Sequence, residues 1–242
     1  DSNGDFAILK SAPRNSSEAE KLLLSAEIIK NIKSPGLAEI LSFGISEAAD
    51  AYVATKYAAR GTLAKFIKNK RRLTQAQTVK MLRGTLAGLA ALHGLGIVHR
   101  DVKPDNIFIL QDGSAVLGDF GVAKFPNIGE PSGAVFGSAP YMSPEQAKDS
   151  TDVSPACDLF SLGCVAYECL TGNRRYAQKN FTQTLKAILS DSSSAERELR
   201  KLSEPPLPAL VSQMMQHSPS ARPASAREVF DKIAMLREEP IE

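Results

Sequence analysis

Two short runs near the middle of the chain decide its fold: H-R-D-V-K-P-D-N at residues 99–106 and G-D-F-G at residues 118–121. Asn106 and Asp119 are thirteen positions apart, and the apolar residues 107–110 between the runs are typical of a strand. A run such as D-F-G alone is common by chance. Both runs, in this order and at this spacing, are not, and together they mark one chemical site.

The first run resembles the catalytic loop of protein kinases, H-R-D-x-K-x-x-N, and the second resembles their metal-binding D-F-G. The resemblance implies that Asp101 accepts the proton of a substrate hydroxyl or orients that hydroxyl. It implies that Lys103 neutralises charge on the transferred phosphoryl group. Asn106 and Asp119 would then hold Mg²⁺ through their oxygen atoms.

The resemblance extends to the expected ATP site. A-I-L-K at residues 7–10 resembles the V-A-I-K strand, so Lys10 is expected to bind the α- and β-phosphates and Ile8 to lie above the adenine. The other expected nucleotide contacts are a gatekeeper, two residues whose backbone groups bond the base, and a residue beneath the ring: Thr55, Lys56, Ala58 and Phe108. Plain core packing explains these four positions as well.

Three further positions favour a protein kinase over a small-molecule kinase. Glu145 and Arg222 resemble the buried ion pair of the family, and Asp158 resembles the helix residue that anchors the catalytic-loop backbone. Lys103 and Ser138 resemble the residues typical of kinases that phosphorylate serine and threonine. The resemblance therefore implies a protein substrate, with ATP and Mg²⁺ as cofactors.

The chain departs from the family pattern in its first helix. The position of the glutamate that normally pairs with the phosphate-binding lysine is occupied by Ser25. Glu27, two residues on, lies about 200° around a helix and would serve only if the helix were shifted or distorted. Ile8 is also bulkier than the usual alanine above the adenine.

Apolar periodicity predicts the secondary structure. Strands are expected at residues 37–43 and 51–57, and a strongly apolar helix at residues 158–171. Three capping boxes, S/T-x-x-E/Q, predict helix starts at Ser17, Thr74 and Ser225.

Strands with one helix, followed mostly by helices, indicate an α+β protein, which the resemblance makes a bilobal protein kinase-like fold. We expect a small β-rich N-lobe at residues 1–57 and a larger α-helical C-lobe at residues 58–242. The N-lobe lacks the Gly-rich strand pair of the family. Because N-G at residues 3–4 is typical of a hairpin turn, an earlier strand is expected upstream.

Bulk properties exclude several other classes. The 242 residues are 43% hydrophobic, which suits one domain of two packed lobes, and the net charge of +2 does not indicate a nucleic-acid binder. No apolar run reaches the roughly 18 residues of a membrane-spanning helix. The cysteines lie close together at Cys157, Cys164 and Cys169, which favours reduced core thiols and a cytoplasmic location.

The sequence predicts a Ser/Thr protein kinase, with a pseudokinase that serves as a binding or scaffold module as the alternative. Ser25 and Ile8 favour the alternative. Regulation is a further hypothesis, because Ser132 lies in the loop after D-F-G, where a phosphate could pair with Arg100. An ordinary loop serine is an equally good interpretation of Ser132.

Overall fold

The first part of the chain forms a three-stranded antiparallel sheet with one helix packed against it. The computed structural model describes residues 7–48, 50–56, 58–70, 72–126, 137–149, 153–191 and 193–241. The sheet has the order β1-β3-β2, and its elements with the helix are β1 (Ala7–Pro13), α1 (Ser17–Lys30), β2 (Ile40–Ile45) and β3 (Asp50–Lys56).

The rest of the chain is mostly helical, with one small hairpin. The hairpin consists of β4 (Ile107–Ile109) and β5 (Ala115–Leu117), which are antiparallel. The helices are α2 (Leu63–Lys70), α3 (Gln75–His93), α4 (Pro144–Lys148), α5 (Ala156–Thr171), α6 (Phe181–Ser190), α7 (Glu196–Leu199), α8 (Leu207–Met214) and α9 (Ala226–Lys232). The α+β architecture expected from the sequence is confirmed, with a small part built on a sheet followed by a larger helical part.

Two long helices form the centre of the larger lobe. In α5, the residues from Cys157 to Leu170 are all buried, as expected for a helix that is apolar on every side. In α3, one apolar face is fully buried and consists of Val79, Leu82, Leu86, Leu89 and Leu92. The two helices pack against each other, and α3 also packs against β5 and α9.

Two glycines, Gly36 and Gly88, let the two lobes approach closely. A Cβ on Gly36 would lie 2.2 Å from the carbonyl oxygen of Gly84, and a Cβ on Gly88 would lie 2.4 Å from that of Gly36. The loop before β2 therefore lies directly on α3, where it also bonds to β5. Leu117 N–H donates to Gly36 O at 2.8 Å, and Ala38 N–H donates to Leu117 O at 2.8 Å.

The structure corrects several predicted boundaries. The N-cap of α1 is Ser16 rather than Ser17, because the extended backbone of Ser16 lets its Oγ accept from Ala19 N–H. The predicted strand at 37–43 is Ile40–Ile45, since Leu37 pairs with Leu117 instead. The strand predicted at 51–57 is Asp50–Lys56, with residue 57 outside the described residues.

The capping boxes had mixed outcomes. The box at Thr74 is complete, because Thr74 and Gln77 each bond the other's backbone N–H. Ser225 caps α9, but the carboxylate of Glu228 accepts from Ala224 N–H rather than from the N-cap backbone. The helix expected at 158–171 begins two residues earlier, at Ala156.

The three cysteine side chains lie in the core of the protein. All three cysteines are buried, and none forms a disulfide. Burial raises the pKa of each thiol, so none is suited to act as a thiolate.

Among the described residues, no helix combines the length and apolar character needed to span a bilayer.

Candidate active site

One face of the N-terminal sheet carries the residues expected to contact ATP. Directly opposed residues of antiparallel strands point to the same face. The register pairs Lys10 with Val53 and Ile8 with Thr55, so all four point the same way. Ile40 of β2 also pairs with Thr55 and extends this face across the third strand.

This face forms a wall of a cavity of about 280 Å³ between the sheet, α1 and the hairpin. Five of the residues predicted to bind nucleotide line it: Ile8, Lys10, Thr55, Phe108 and Asp119. Phe108 comes from β4, and its ring lies so close to Gly118 that a Cβ there would be 2.8 Å from Cε2. The cavity is thus bounded by both lobes.

Lys56 and Ala58 do not line this cavity in the described residues. The Lys56 side chain lies on the other side of the strand from Thr55, where its Nζ is 3.2 Å from Glu39 Oε2. The backbone N–H of Lys56 donates to Glu39 O at 2.9 Å. Ala58 is buried and its carbonyl accepts from Gly61 N–H at 2.8 Å. The prediction for both residues concerns backbone groups, and it stays a prediction.

A second cavity, of about 490 Å³, joins the first at Lys10 and Asp119, which line both. Asp101 lies in this second cavity, together with residues from the start of α1 such as Glu18. The fold therefore brings Asp101 and Asp119, one from each sequence run, to one cleft beside the phosphate-binding candidate Lys10.

Asp158 holds the backbone of the loop that carries Asp101. It is fully buried at the start of α5, and its carboxylate accepts from the N–H groups of His99 and Arg100, both at 2.8 Å. This is the anchoring role expected from the sequence. His93 at the end of α3 is a third partner, with Nε2 2.8 Å from Oδ2, and sequence reasoning missed it.

The electrostatics of Asp158 explain why a fully buried carboxylate is stable there. Burial alone would raise its pKa, but the hydrogen bonds and charges of His93 and His99 lower the pKa below its usual value. Asp158 is therefore ionised at neutral pH. The signal for His93 was present in the sequence, because it ends the helix that leads into the loop.

Asp101 has one carboxylate oxygen engaged and one without a protein partner. Its Oδ2 accepts from Asn106 Nδ2 at 3.0 Å and lies 2.7 Å from Lys103 Nζ. Its Oδ1 is buried and has no hydrogen-bond partner among the described residues. An orphaned buried acceptor is costly, so this oxygen is suited to receive a hydrogen bond from a bound molecule.

Lys103 links Asp101 to a segment far along the chain. Its Nζ donates to Ser138 Oγ at 2.8 Å, while it pairs with Asp101 on the other side. Ser138 precedes the 3₁₀ turn Ala139–Tyr141 and the helix α4. The two residues that the sequence associated with Ser/Thr substrates are therefore in direct contact.

Both loops contain a residue with left-handed backbone. Arg100 has φ of 65° and Asp119 has φ of 59°, and neither is a glycine. Such conformations cost about 1–2 kcal/mol each. The surrounding bonds stabilise them: the carbonyl of Arg100 accepts from Gln146 Nε2 at 2.8 Å, and Asp119 Oδ1 accepts from Gly121 N–H at 3.3 Å. Strain of this kind is typical of functional sites.

The carboxylate of Asp119 forms an ion pair with Lys10. Oδ1 lies 2.5 Å from Lys10 Nζ, across the cleft between the lobes. Partial burial would raise the pKa of Asp119, but the hydrogen bond and charge of Lys10 and the N–H of Gly121 lower it. Asp119 is therefore a carboxylate near neutral pH, as a metal ligand must be.

The residues expected to hold Mg²⁺ fit that ion by their chemistry. Both bonds described for the Asn106 amide use Nδ2, which donates to Asp101 O and to Asp101 Oδ2, and this leaves Oδ1 as a ligand. Among the described residues, no group of three or more His, Cys, Asp or Glu could form a metal cage. Mg²⁺ normally needs only one or two protein ligands, with phosphates and water completing its shell.

Ser25 occupies the place where the family has a glutamate. It is buried and lines the same cavity as Lys10, and its Oγ donates to Leu22 O at 2.9 Å. Glu27 is exposed on the regular helix α1. The helix is therefore not shifted to bring Glu27 towards Lys10, and Asp119 is the carboxylate that Lys10 contacts.

His99 and Phe120 pack together. Their rings make an edge-to-face contact with centroids 5.5 Å apart, and both side chains are buried. His99 Nε2 lies 3.1 Å from Gly118 O, so the two sequence runs touch directly. Ser132 lies outside the described residues.

The ion pair of Glu145 and Arg222 is also in place. Arg222 is buried and contacts both carboxylate oxygens, at 2.6 and 2.8 Å. Its guanidinium also donates to three backbone carbonyls, those of Ala156, Gln216 and His217. The Arg222 guanidinium lies over the ring of Phe160, with Cζ 4.9 Å from the ring centroid. This network joins α4 to α5 and to the loop before α9.

Comparison with known proteins agrees with the geometry. The family model for the protein kinase domain matches residues 2–233. The chain is 32% identical over 225 residues to serine/threonine-protein kinase PknA of Mycobacterium tuberculosis, covering 90% of this chain and 51% of PknA. It is 28% identical over 236 residues to a probable serine/threonine-protein kinase of Clostridium perfringens, covering 96% and 34%.

A third relative matches a shorter region. Serine/threonine-protein kinase PknL of Mycobacterium tuberculosis is 41% identical over 115 residues, which is 47% of this chain and 29% of PknL. The chain thus spans about half the length of PknA and less of the other two relatives.

Proposed function

Because this chain belongs to the protein kinase family, we propose that it transfers the γ-phosphoryl group of ATP to a serine or threonine hydroxyl of a protein. The observation that carries the proposal is the state of Asp101. One of its oxygens is held by Asn106 and Lys103, and the other is buried and without a partner in the described residues.

Oδ1 of Asp101, the oxygen without a partner, is suited to accept a hydrogen bond from the substrate hydroxyl. Asn106 and Lys103 fix the carboxylate, so its orientation does not have to be found at the moment of reaction. A positioned general base of this kind contributes about 10²–10⁴-fold to a rate. Lys103 would also stabilise negative charge on the transferred group, and it contacts Ser138, the other residue that the resemblance associates with Ser/Thr substrates.

The nucleotide would occupy the cavity between the lobes. We propose that Ile8 and Phe108 lie on either side of the adenine, with Thr55 as gatekeeper and backbone groups of Lys56 and Ala58 bonding the base. Lys10 would bind the α- and β-phosphates, and Asn106 and Asp119 would hold Mg²⁺. The metal would neutralise phosphate charge. The lobes that frame this site would be residues 1–57 and 58–242.

Phosphotransfer from Mg·ATP to a basic protein, with the label traced to serine or threonine, tests the proposal. The protein with its natural upstream residues is expected to transfer label at a measurable rate. Removal of the metal with EDTA is expected to reduce transfer to background, and excess Mg²⁺ to restore it, because both proposed ligands are oxygen atoms. Transfer that survives EDTA would contradict the assigned metal site.

A pseudokinase is the second candidate, and Ser25 favours it. Because position 25 of α1 carries no carboxylate, Lys10 pairs with the proposed metal ligand Asp119. An inactive protein that binds nucleotide would support this alternative. Transfer of label by the wild-type protein would exclude it.

The substitution Ser25→Glu tests how the missing carboxylate affects catalysis. We expect kcat to rise at least about threefold, because a carboxylate beside Lys10 would release Asp119 for the metal; an effect of this size corresponds to one partly exposed ion pair. The Ser25→Gln variant has the same shape without the charge. If the Gln variant gains as much activity as the Glu variant, the charge is not the cause.

A further inference from the structure

Residues 234–241, here called the strap, run from the end of α9 back to the junction between the lobes. The family model matches the chain only to residue 233, so the strap lies beyond the matched region. Its last described residue, Ile241, is fully buried. By contrast, Met235 near the beginning of the strap is 95% exposed.

The middle of the strap is attached to the first half of α3. Glu238 lies 3.3 Å from Lys80 and 2.9 Å from Arg83. Partial burial would raise the pKa of Glu238, but these two cations lower it. Glu239 N–H donates to Ala76 O at 3.2 Å. The attachment therefore combines charge pairs with a backbone bond, and it directs the strap along α3.

The end of the strap contacts the turn of the β4–β5 hairpin. Ile241 N–H donates to Gly113 O at 3.3 Å. Gly113 has φ of +74°, and a Cβ there would lie 2.6 Å from Pro240 Cβ and 2.7 Å from Ile241 N. The turn thus accommodates the strap only because residue 113 has no side chain.

The same end of the strap contacts the segment that joins the lobes. Arg60 Nη1 donates to Ile241 O at 2.8 Å. Arg60 belongs to the turn in which Gly61 N–H donates to Ala58 O, and Gly61 O accepts from Ile109 N–H at 2.8 Å. Ile241 therefore ties together the turn at 58–61 and the hairpin that carries Phe108.

We infer that the strap is a positioning element for the nucleotide site, in which Ile241 holds the turn at 58–61 against the β4–β5 hairpin and thereby sets nucleotide affinity. The inference rests on the proposed function, because it concerns the cavity assigned there to ATP. Ile241 does not line that cavity in the described residues. Its effect therefore passes through Ala58 on one side and Phe108 on the other.

The experiment measures the Kd of Mg·ADP by calorimetry with the full chain, together with KM for ATP and kcat. Ile241→Ala is expected to weaken ADP binding at least fivefold and to raise KM for ATP similarly, while kcat at saturating ATP stays within twofold. Ile241→Val keeps most of the buried side chain and is expected to bind within twofold of wild type. Met235→Ala, at an exposed position on the strap, is the matched control and is expected to leave the Kd of ADP, the KM for ATP and kcat unchanged.

Arg60→Met provides a second test that does not open the core. It removes the bond to Ile241 O and is expected to weaken ADP binding about threefold, whether or not the Ile241→Ala protein folds. Hydrogen exchange at residues 58–61 and 107–117 is expected to rise in both variants and not in Met235→Ala.

The outcomes separate the strap from the proposed function. If wild type binds ADP and neither Arg60→Met nor a folded Ile241→Ala changes its Kd, the strap is only structural and the inference is wrong, although the proposed function stands. The same holds if melting temperature falls without any change in Kd. A wild-type protein that binds no ADP would contradict both.

Discussion

Replacing Asp119 with alanine is expected to lower phosphotransfer by roughly a thousandfold or more, the scale of losing a group that stabilises charge in the transition state. Asp119 is the carboxylate proposed to hold Mg²⁺, and it is the residue that Lys10 contacts at 2.5 Å. The substitution would remove the metal ligand and leave Lys10 without its partner. The measurement is the initial rate of label transfer at saturating Mg·ATP.

Asp112→Ala is the matched control for this substitution. Asp112 is exposed in the turn between β4 and β5, and its carboxylate accepts only from Ser114 among the bonds described for it. We expect this variant to retain wild-type transfer. Far-UV circular dichroism of both variants would establish that they are folded. An Asp119→Ala protein that is folded and keeps more than a tenth of wild-type activity would overturn the assignment.

Replacing Arg222 with methionine is expected to lower the free energy of unfolding by about 3–5 kcal/mol. The guanidinium of Arg222 is buried and is bonded to both oxygens of Glu145 and to three backbone carbonyls. Methionine fills a similar volume but leaves the carboxylate and the carbonyls without donors. Urea denaturation followed by circular dichroism measures the change.

Arg227→Met is the control for the loss of an arginine as such. Arg227 is 73% exposed and pairs with Asp231 one helical turn away. We therefore expect its replacement to lower the free energy of unfolding by less than about 1 kcal/mol. The double variant Arg222→Met with Glu145→Gln should lose less stability than the two single variants together, because neither charge is left unpaired. An Arg222→Met protein as stable as Arg227→Met would show that the network does not stabilise the fold.

Local sequence signals predicted helix starts well only where the cap depends on neighbouring residues alone. The box at Thr74 formed completely because Gln77 is one turn away, and its Oε1 accepts from Thr74 N–H while its Nε2 donates to Pro240 O. At the start of α1, Ser16 and Ser17 are adjacent and either could be the N-cap. The path of the chain after Pro13 decided which of them takes that position. Ser16 Oγ donates to Pro13 O at 2.7 Å, which holds Ser16 rather than Ser17 at the N-cap.

The candidate site was predictable in its residues but not in all of its partners. The helical register that places Ser25 on the buried face of α1 follows from the spacing of apolar residues, and the structure has Ser25 there. The contact of Lys10 with Asp119 spans 109 positions of the chain. No local pattern encodes such a pair, because it depends on how the two lobes meet.

The sequence by itself determined the fold class, the two catalytic runs and the residues that anchor them, because these depend on residue type and short spacing. Tertiary structure alone decided that Lys10 contacts Asp119, that His93 completes the support of Asp158, and that the strap reaches Arg60. These contacts join segments far apart in sequence. The lobes meet closely because Gly36 and Gly88 let the loop before β2 approach α3, and the strap reaches Arg60 because the turn at Gly113 leaves room for Ile241.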